Sequence, residues 1–203
     1  MLKESLADVL GAARGQLVIV TGEAGIGKTR VLRRFCDLAR RSSRVLWGSC
    51  DPLFTPRPLG PLLDVAEATG GELEEVVNDG GKPHAVAAAL SRELGVHRGT
   101  ILVLEDLHWA DEATLDVVSL LGRRIGSVPT LAVLTYRGDE LDRRHPLRMV
   151  LGAIATASSV RRLELAPLSR SAVAQRYDEL VKEGWALPVY RPVILEDAQK
   201  VSF

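Results

Sequence analysis

The chain predicts a three-layer α/β fold: a five-stranded parallel sheet with helices packed on both faces. Three observations lead there. Apolar runs of strand length alternate with stretches of helical spacing along the chain. Two of those runs, 17–20 and 101–104, are unbroken, as a strand covered on both faces requires. A glycine-rich turn joins the first run to the helix that follows it. With 203 residues, 46% of them hydrophobic, one domain of ordinary size can bury a sizeable core.

The elements follow in order. Leu2, Leu6, Val9 and Leu10 share one face of a short helix, which Gly15 breaks. Residues 17–20 form a strand, the glycine turn follows, and Val31, Leu32, Phe35, Leu38 and Ala39 continue at helical spacing. Residues 44–47 form a second short strand. Pro52, Pro56, Pro58 and Pro61, then Gly70-Gly71 and Gly80-Gly81, punctuate two short helices near 59–68 and 73–77. An Ala-rich helix covers 83–94, with Pro83 in its first turn. Residues 100–104 give the strongest buried-strand signal. Asp111 then caps a helix whose stripe is Leu115, Val118, Leu121 and Ile125. A strand at 130–136, a helix at 146–154, a strand at 160–165 and a last helix from Ser169 complete the alternation. From Gly184 no periodicity is clear, so the expected division is a core over 1–183 and a tail over 184–203.

Charge and composition exclude several classes. Lys plus Arg and Asp plus Glu both count 26, so the chain lacks the basic excess of a nucleic-acid domain. No recognition helix is visible either, and direct DNA binding is not expected. Two cysteines, Cys36 and Cys50, are too few for a disulfide framework and favour a reduced setting. The opening MLKESLADVL carries Glu4 and Asp8 and is a poor signal peptide. The longest uncharged apolar-leaning run, 149–160, falls short of the roughly 20 residues that span a bilayer. A cytoplasmic protein with no membrane partner is expected.

GEAGIGKT, from Gly22 through Glu23, Ala24, Gly25, Ile26, Gly27 and Lys28 to Thr29, fits the pattern G-x-x-x-x-G-K-[ST]. Its glycines let the backbone curl and turn N–H groups toward phosphate oxygens. Lys28 supplies a point charge to the outer phosphates, and Thr29 offers a hydroxyl to Mg²⁺. The helix that starts here, with Arg30 in its first turn, aims its positive end at the same place. The flanking context, strand before and helix after, is the one this chemistry needs. The expected ligand is a nucleotide, ATP or ADP, with Mg²⁺.

ILVLEDLHWAD supplies the acids. Four apolar residues run into Glu105 and Asp106, placing two carboxylates at the C-terminal end of a strand. One can hold Mg²⁺ through water, and its neighbour can orient or deprotonate an attacking water. Either order fits: Glu105 on the metal with Asp106 catalytic, or the reverse. Trp109 is read as packing, and His108 is left open between site and packing roles. The strand at 130–136 ends in Thr135, Tyr136 and Arg137, and Arg137 is the candidate sensor of a terminal phosphate. Pairing of Arg137 with Asp139 or Glu140 is the ordinary alternative. The strand at 44–47 lies between the loop strand and the acidic strand in sequence, and in additional-strand P-loop ATPases another strand also sits between those two in the sheet. The only Asn, Asn78, begins no N-K-x-D run, which excludes guanine recognition of the GTPase kind. A small-molecule kinase stays open as an alternative, although no arginine-rich lid beside a substrate pocket is evident.

GEAGIGKTRVL, LVLEDLHWADEATLDVVSLL, LAVLTYRGDEL, HPLRMVLGAIA and RLELAPLSRSAVAQ, in this order, resemble the ATPase domain of STAND-class regulators. The similarity is to large ATP-binding LuxR-type transcriptional regulators and related AAA-type ATPase domains, over roughly residues 15–180. The resemblance implies a three-layer P-loop NTPase that binds ATP with Mg²⁺ and hydrolyses it slowly as a regulatory switch. It also assigns Arg137 to the sensor position. Such domains usually begin with a G-R-E segment and continue into a TGGNP-like stretch and a winged helix. Against that pattern this chain is expected to be truncated at both ends. The alternative expectation is a truncated, non-catalytic nucleotide-binding module that works through a protein partner or self-association.

Overall fold

A computed structural model describes residues 1–53, 55 and 57–167. The expected helix from Ser169 and the expected boundary at 183/184 lie outside the described residues. Met1–Ala166 forms one compact unit.

Helix α1 spans Leu2–Ala12 and stops at Ala13, whose φ of 51° is left-handed, two residues before the expected breaker Gly15. Strand β1 is Gln16–Thr21 and α2 is Lys28–Ala39. Strand β2 is Val45–Ser49. Helices α3 (Gly60–Thr69), α4 (Gly71–Asn78) and α5 (Pro83–Val96) lead to β3, Thr100–Glu105. A short 3-10 turn, Leu107–Trp109, precedes α6 at Glu112–Arg124. The Asp111 side chain caps α6 by accepting from the Thr114 backbone N–H, as expected. Strand β4 (Thr130–Tyr136), helix α7 (Pro146–Ile154) and strand β5 (Val160–Glu164) close the unit.

The five strands form one all-parallel sheet in the order β2-β3-β4-β1-β5. Strand β4 therefore sits between β1 and β3, which is the additional-strand arrangement. Successive strand residues point to opposite faces, and the two cores sort by that alternation. Val18, Val20, Ile101, Val103, Leu131 and Val133 meet α1 and α2 on one face. Leu17, Ile19, Leu46, Leu102, Leu104, Ala132 and Leu134 meet helices α3 to α7 on the other.

The stripe of α2 differs from the expectation. Leu32, Phe35, Cys36 and Ala39 are buried, while Val31 and Leu38 are 41% and 51% exposed. Cys36 takes the core position because i, i+3, i+4 and i+7 from Leu32 are the positions that face the sheet. Leu10 in α1 is likewise exposed, and Leu2, Leu6 and Val9 carry the contact.

Gly48 in β2 shows how tightly α3 lies on the sheet edge. A Cβ built there would stand 2.0 Å from the carbonyl oxygen of Pro61, a backbone atom with no rotamer to yield. Gly48→Ala should therefore destabilise the domain by about 1–3 kcal/mol, the usual range for overpacking. A urea unfolding curve checks this, and an unchanged midpoint would contradict the close approach.

Candidate functional site

The site gathers at the carboxyl ends of β1, β3 and β4, where open parallel sheets place their ligands. The loop 22–27 leaves β1 and turns into α2 through Gly27, whose φ is 96°. Gly25 is also left-handed, at 71°, a conformation that glycine adopts without the Cβ penalty. No side chain caps α2, so its first-turn amides remain open to an anion.

Lys28 is 7% exposed. Its Nζ donates to the carbonyl of Gly22 at 2.7 Å and to that of Glu23 at 3.0 Å. Burial lowers its pKa below the ordinary lysine value; the negative charge of Asp106 opposes that shift and the positive charge of Arg137 adds to it. Asp139 and Glu140 act on Lys28 as well. Lys28, Asp106, Arg137, Asp139 and Glu140 are thus close enough to share one field. Thr29 is half-buried, and Glu23, Ala24, Gly25 and Arg30 are exposed.

Glu105 and Asp106 are brought to this end of the sheet but point into different surroundings. Glu105 follows the alternation of Ile101 and Val103, so it lies on the face covered by α2. It is 6% exposed. Its Oε2 accepts from the indole Nε1 of Trp47 at 3.1 Å, and its Oε1 is buried without a partner. Asp106 is left-handed, at φ 55°, and its side chain is about a third exposed. Its backbone N–H donates to Thr135 Oγ1 at 2.9 Å, which pins the end of β3 to β4.

His108 lies under the acids, with its side chain 1% exposed. Its Nδ1 is 4.0 Å from Asp106 Oδ1 and its Nε2 is 3.2 Å from Glu140 Oε2, neither in hydrogen-bond geometry. Burial pushes its pKa below the ordinary histidine value; Asp106 and Glu140 oppose that shift. Trp109 packs against the larger core, as expected, with its ring centroid 5.3 Å from that of His108. Arg137 pairs with Glu140 at 2.5 Å, and that hydrogen bond raises its pKa.

Three participants carried no functional signal in the sequence. Trp47 read only as the end of a strand. Thr135 read as one of three polar residues after a strand. His145 donates from Nε2 to the carbonyl of His108 at 3.1 Å while its Nδ1 accepts from the Leu147 N–H. All three depend on strand pairing or loop packing, which local spacing does not encode. A Trp on a strand that pairs beside an acidic strand is the one cue available in retrospect.

Two oxygen types are available for a metal ion: the Thr29 hydroxyl and the carboxylates. Among the described residues no cluster of three or more His, Cys, Asp or Glu forms a metal cage. Mg²⁺ usually keeps several waters and binds through one or two carboxylates plus phosphate oxygens. The buried, unpartnered Oε1 of Glu105 fits such a water-bridged ion. Among the described residues no helix is long and apolar enough to cross a membrane.

Comparison with known proteins gives the context. The family model of an AAA ATPase domain matches residues 2–135. An uncharacterized protein of Rhizobium meliloti (strain 1021) is 27% identical over 194 residues, covering 72% of this chain and 19% of the relative. The chain thus spans about a fifth of that relative's length. Among solved structures, the Aeropyrum pernix ORC1 protein in complex with DNA aligns with a TM-score of 0.60 at 20% identity. That alignment covers 90% of this chain and 47% of ORC1. AMPPCP-bound DnaA from Aquifex aeolicus aligns with a TM-score of 0.53 at 16% identity, covering 93% of this chain and 51% of DnaA. At these identities the likeness is one of fold.

The Trp47 contact makes a direct prediction. Trp47→Phe keeps the ring on the core but removes the one donor to Glu105 among the described residues, leaving both carboxylate oxygens unanswered there. The domain should lose about 1–3 kcal/mol in urea unfolding, the cost of an unsatisfied buried polar group. Glu105→Gln in the same background should recover part of that loss, because an amide is cheaper to bury than a charge.

Proposed function

This chain belongs to the AAA ATPase domain family, and from that premise we propose that it binds ATP with Mg²⁺ and hydrolyses it slowly, as a regulatory switch. The family implies nucleotide binding; hydrolysis, the switch role and the residue roles are the proposal. One observation carries it: two cations, Lys28 and Arg137, lie close to the Asp106 carboxylate just past the end of β3, beside an uncapped helix N-terminus.

In this reading the amides of 22–29 and Lys28 hold the phosphates. Thr29 and Glu105 hold Mg²⁺, supported by the free Oε1 of Glu105 on the face that α2 covers. When bound, the ion neutralises charge on the phosphate oxygens. Asp106 orients the attacking water, supported by its partial exposure and its fixed backbone. The reverse assignment of the two acids places a metal ligand where Asp106 is open to solvent and leaves Glu105 Oε1 without a partner. Arg137 contacts the terminal phosphate. Its distance along the chain from the loop is closed by β4, which pairs directly with β1.

The switch role of the STAND class rests on the motif order, and the motifs past residue 167 lie outside the described residues. The ORC1 structure includes DNA, but a chain with equal acidic and basic counts carries no such proposal. A non-catalytic binding module is the competing reading, favoured by the engagement of Arg137 with Glu140. Turnover separates the two.

Isothermal titration with ATP and ADP, with and without Mg²⁺, tests the binding step. Lys28→Ala should weaken ATP binding by about 100-fold or more, since it removes charge-assisted hydrogen bonds worth about 1.5–3 kcal/mol each. Unchanged affinity would overturn the assignment. For hydrolysis, the purified chain should release phosphate steadily, and changing Glu105 and Asp106 together to Ala should stop it. Binding without any release would leave the non-catalytic module as the function.

A further inference from the structure

Glu140 divides its two carboxylate oxygens between two site residues. Oε1 meets Arg137 Nη1 at 2.5 Å, and Oε2 lies 3.2 Å from Nε2 of the buried His108 ring. The segment carrying Glu140 is held from several sides. A Cβ at Gly138 would stand 3.5 Å from Thr21 Oγ1, so the segment passes against the end of β1 where the phosphate loop begins. Arg148 of α7 donates to the carbonyls of Leu141 and Asp142 at 2.8 and 2.6 Å. His145 ties the far end to the His108 carbonyl. The backbone that carries Glu140 is therefore held in place, while the Arg137–Glu140 pair itself is about one-third exposed.

We propose that Glu140 is a counter-ion gate, which occupies Arg137 when no terminal phosphate is present and competes with that phosphate for the same guanidinium. This rests on the reading of Arg137 as the γ-phosphate sensor. Arg137 offers a fork of donors in one plane, and Glu140 already takes one arm of it. A triphosphate must draw the guanidinium from Glu140, whereas a diphosphate leaves the pair intact. The preference of the site for triphosphate over diphosphate is thus set by this competition. The Arg148 contacts act as positioning groups that keep the segment of Glu140 within reach of Arg137. The gate adds discrimination against weakly placed phosphates at some loss of triphosphate affinity, a balance suited to a switch that reads nucleotide state.

The test is the ratio of the ADP to AMPPCP dissociation constants, measured by titration in Mg²⁺ for the full chain. Glu140→Gln and Glu140→Ala should each raise it about two- to five-fold, the range for removing a partly exposed ion pair. The rise should come from tighter AMPPCP binding, with ADP unchanged. Arg137→Ala should lower the ratio about tenfold and erase the effect of either Glu140 variant in the double mutant. Asp139→Asn, which removes a neighbouring charge that acts on Arg137 without holding it, should raise the ratio less than either Glu140 variant. If Arg137→Ala lowers the ratio but the Glu140 variants do not raise it, the gate is wrong and the sensor reading stands. If Arg137→Ala leaves the ratio unchanged, the sensor reading fails and the gate with it. A Glu140 effect that persists without Arg137, or that Asp139→Asn reproduces, would reduce it to bulk charge and overturn the gate.

Discussion

The site depends on keeping one carboxylate dry. Glu105 ends a strand whose six residues are all buried, and it shares that burial. A charge withdrawn so far from water must be hydrogen-bonded or paired. Trp47 answers one oxygen, and the parallel pairing of β2 with β3 is what brings it there. Trp47 stands opposite Val103, two residues before Glu105 and on the same face of the sheet. The other oxygen has no partner among the described residues. An unanswered acceptor of this kind costs about 1–3 kcal/mol, a cost that a water held by a cation would relieve. Strand pairing, indole placement and the proposed ion site thus follow from the same buried charge.

The sheet was legible in the sequence because it is buried on both faces. Such strands read as continuous apolar runs, and 17–20 and 101–104 are of that kind. Their order across the sheet was legible only through the motifs, since β4 lies between β1 and β3 without a local signal to say so. The α2 stripe was misjudged at Val31 and Leu38 because hydrophobicity alone does not fix helix phase. Cys36 was passed over as a core residue, although a free cysteine packs as a small apolar group. Around the site the phosphate loop and the acids were visible, because their residue types sit together in the chain. Trp47, Thr135 and His145 were not, because each acts across a strand pair or a loop contact. The two acids could not be told apart by spacing. The alternation of β3 and the open turn at Asp106 separate their surroundings.

In the described structure both candidate phosphate-binding cations already have internal partners. Lys28 donates to two carbonyls of its own loop, and Arg137 is bound to Glu140. Three carboxylates, Asp106, Asp139 and Glu140, act on these two cations, so their positive charge is already offset within the chain. Burial makes the charged form of Lys28 less favourable than it is in water, and the nearby Arg137 adds to that. Without Asp106, Asp139 and Glu140 the two positive groups would repel across a site with limited access to water. The acids therefore do structural work even before any catalytic role is assigned to them.

On the proposed reading, that internal pairing bears on turnover. A triphosphate would gain its contacts with Lys28 and Arg137 only by displacing bonds the chain already makes. Part of the gross binding energy is offset by that exchange, and interactions formed equally in ground and transition states do not raise the rate. A fast hydrolase would hold its cations free and aimed at the developing charge. Here Arg137 is aimed at Glu140, on a segment that α7 holds through Arg148 and that His145 ties to the acidic turn. Moving Arg137 toward a phosphate therefore loads the same segment that anchors the start of α7. On the proposed reading, the arrangement that limits turnover is also the one that can pass nucleotide state from the phosphate loop to a helix on the opposite face of the sheet.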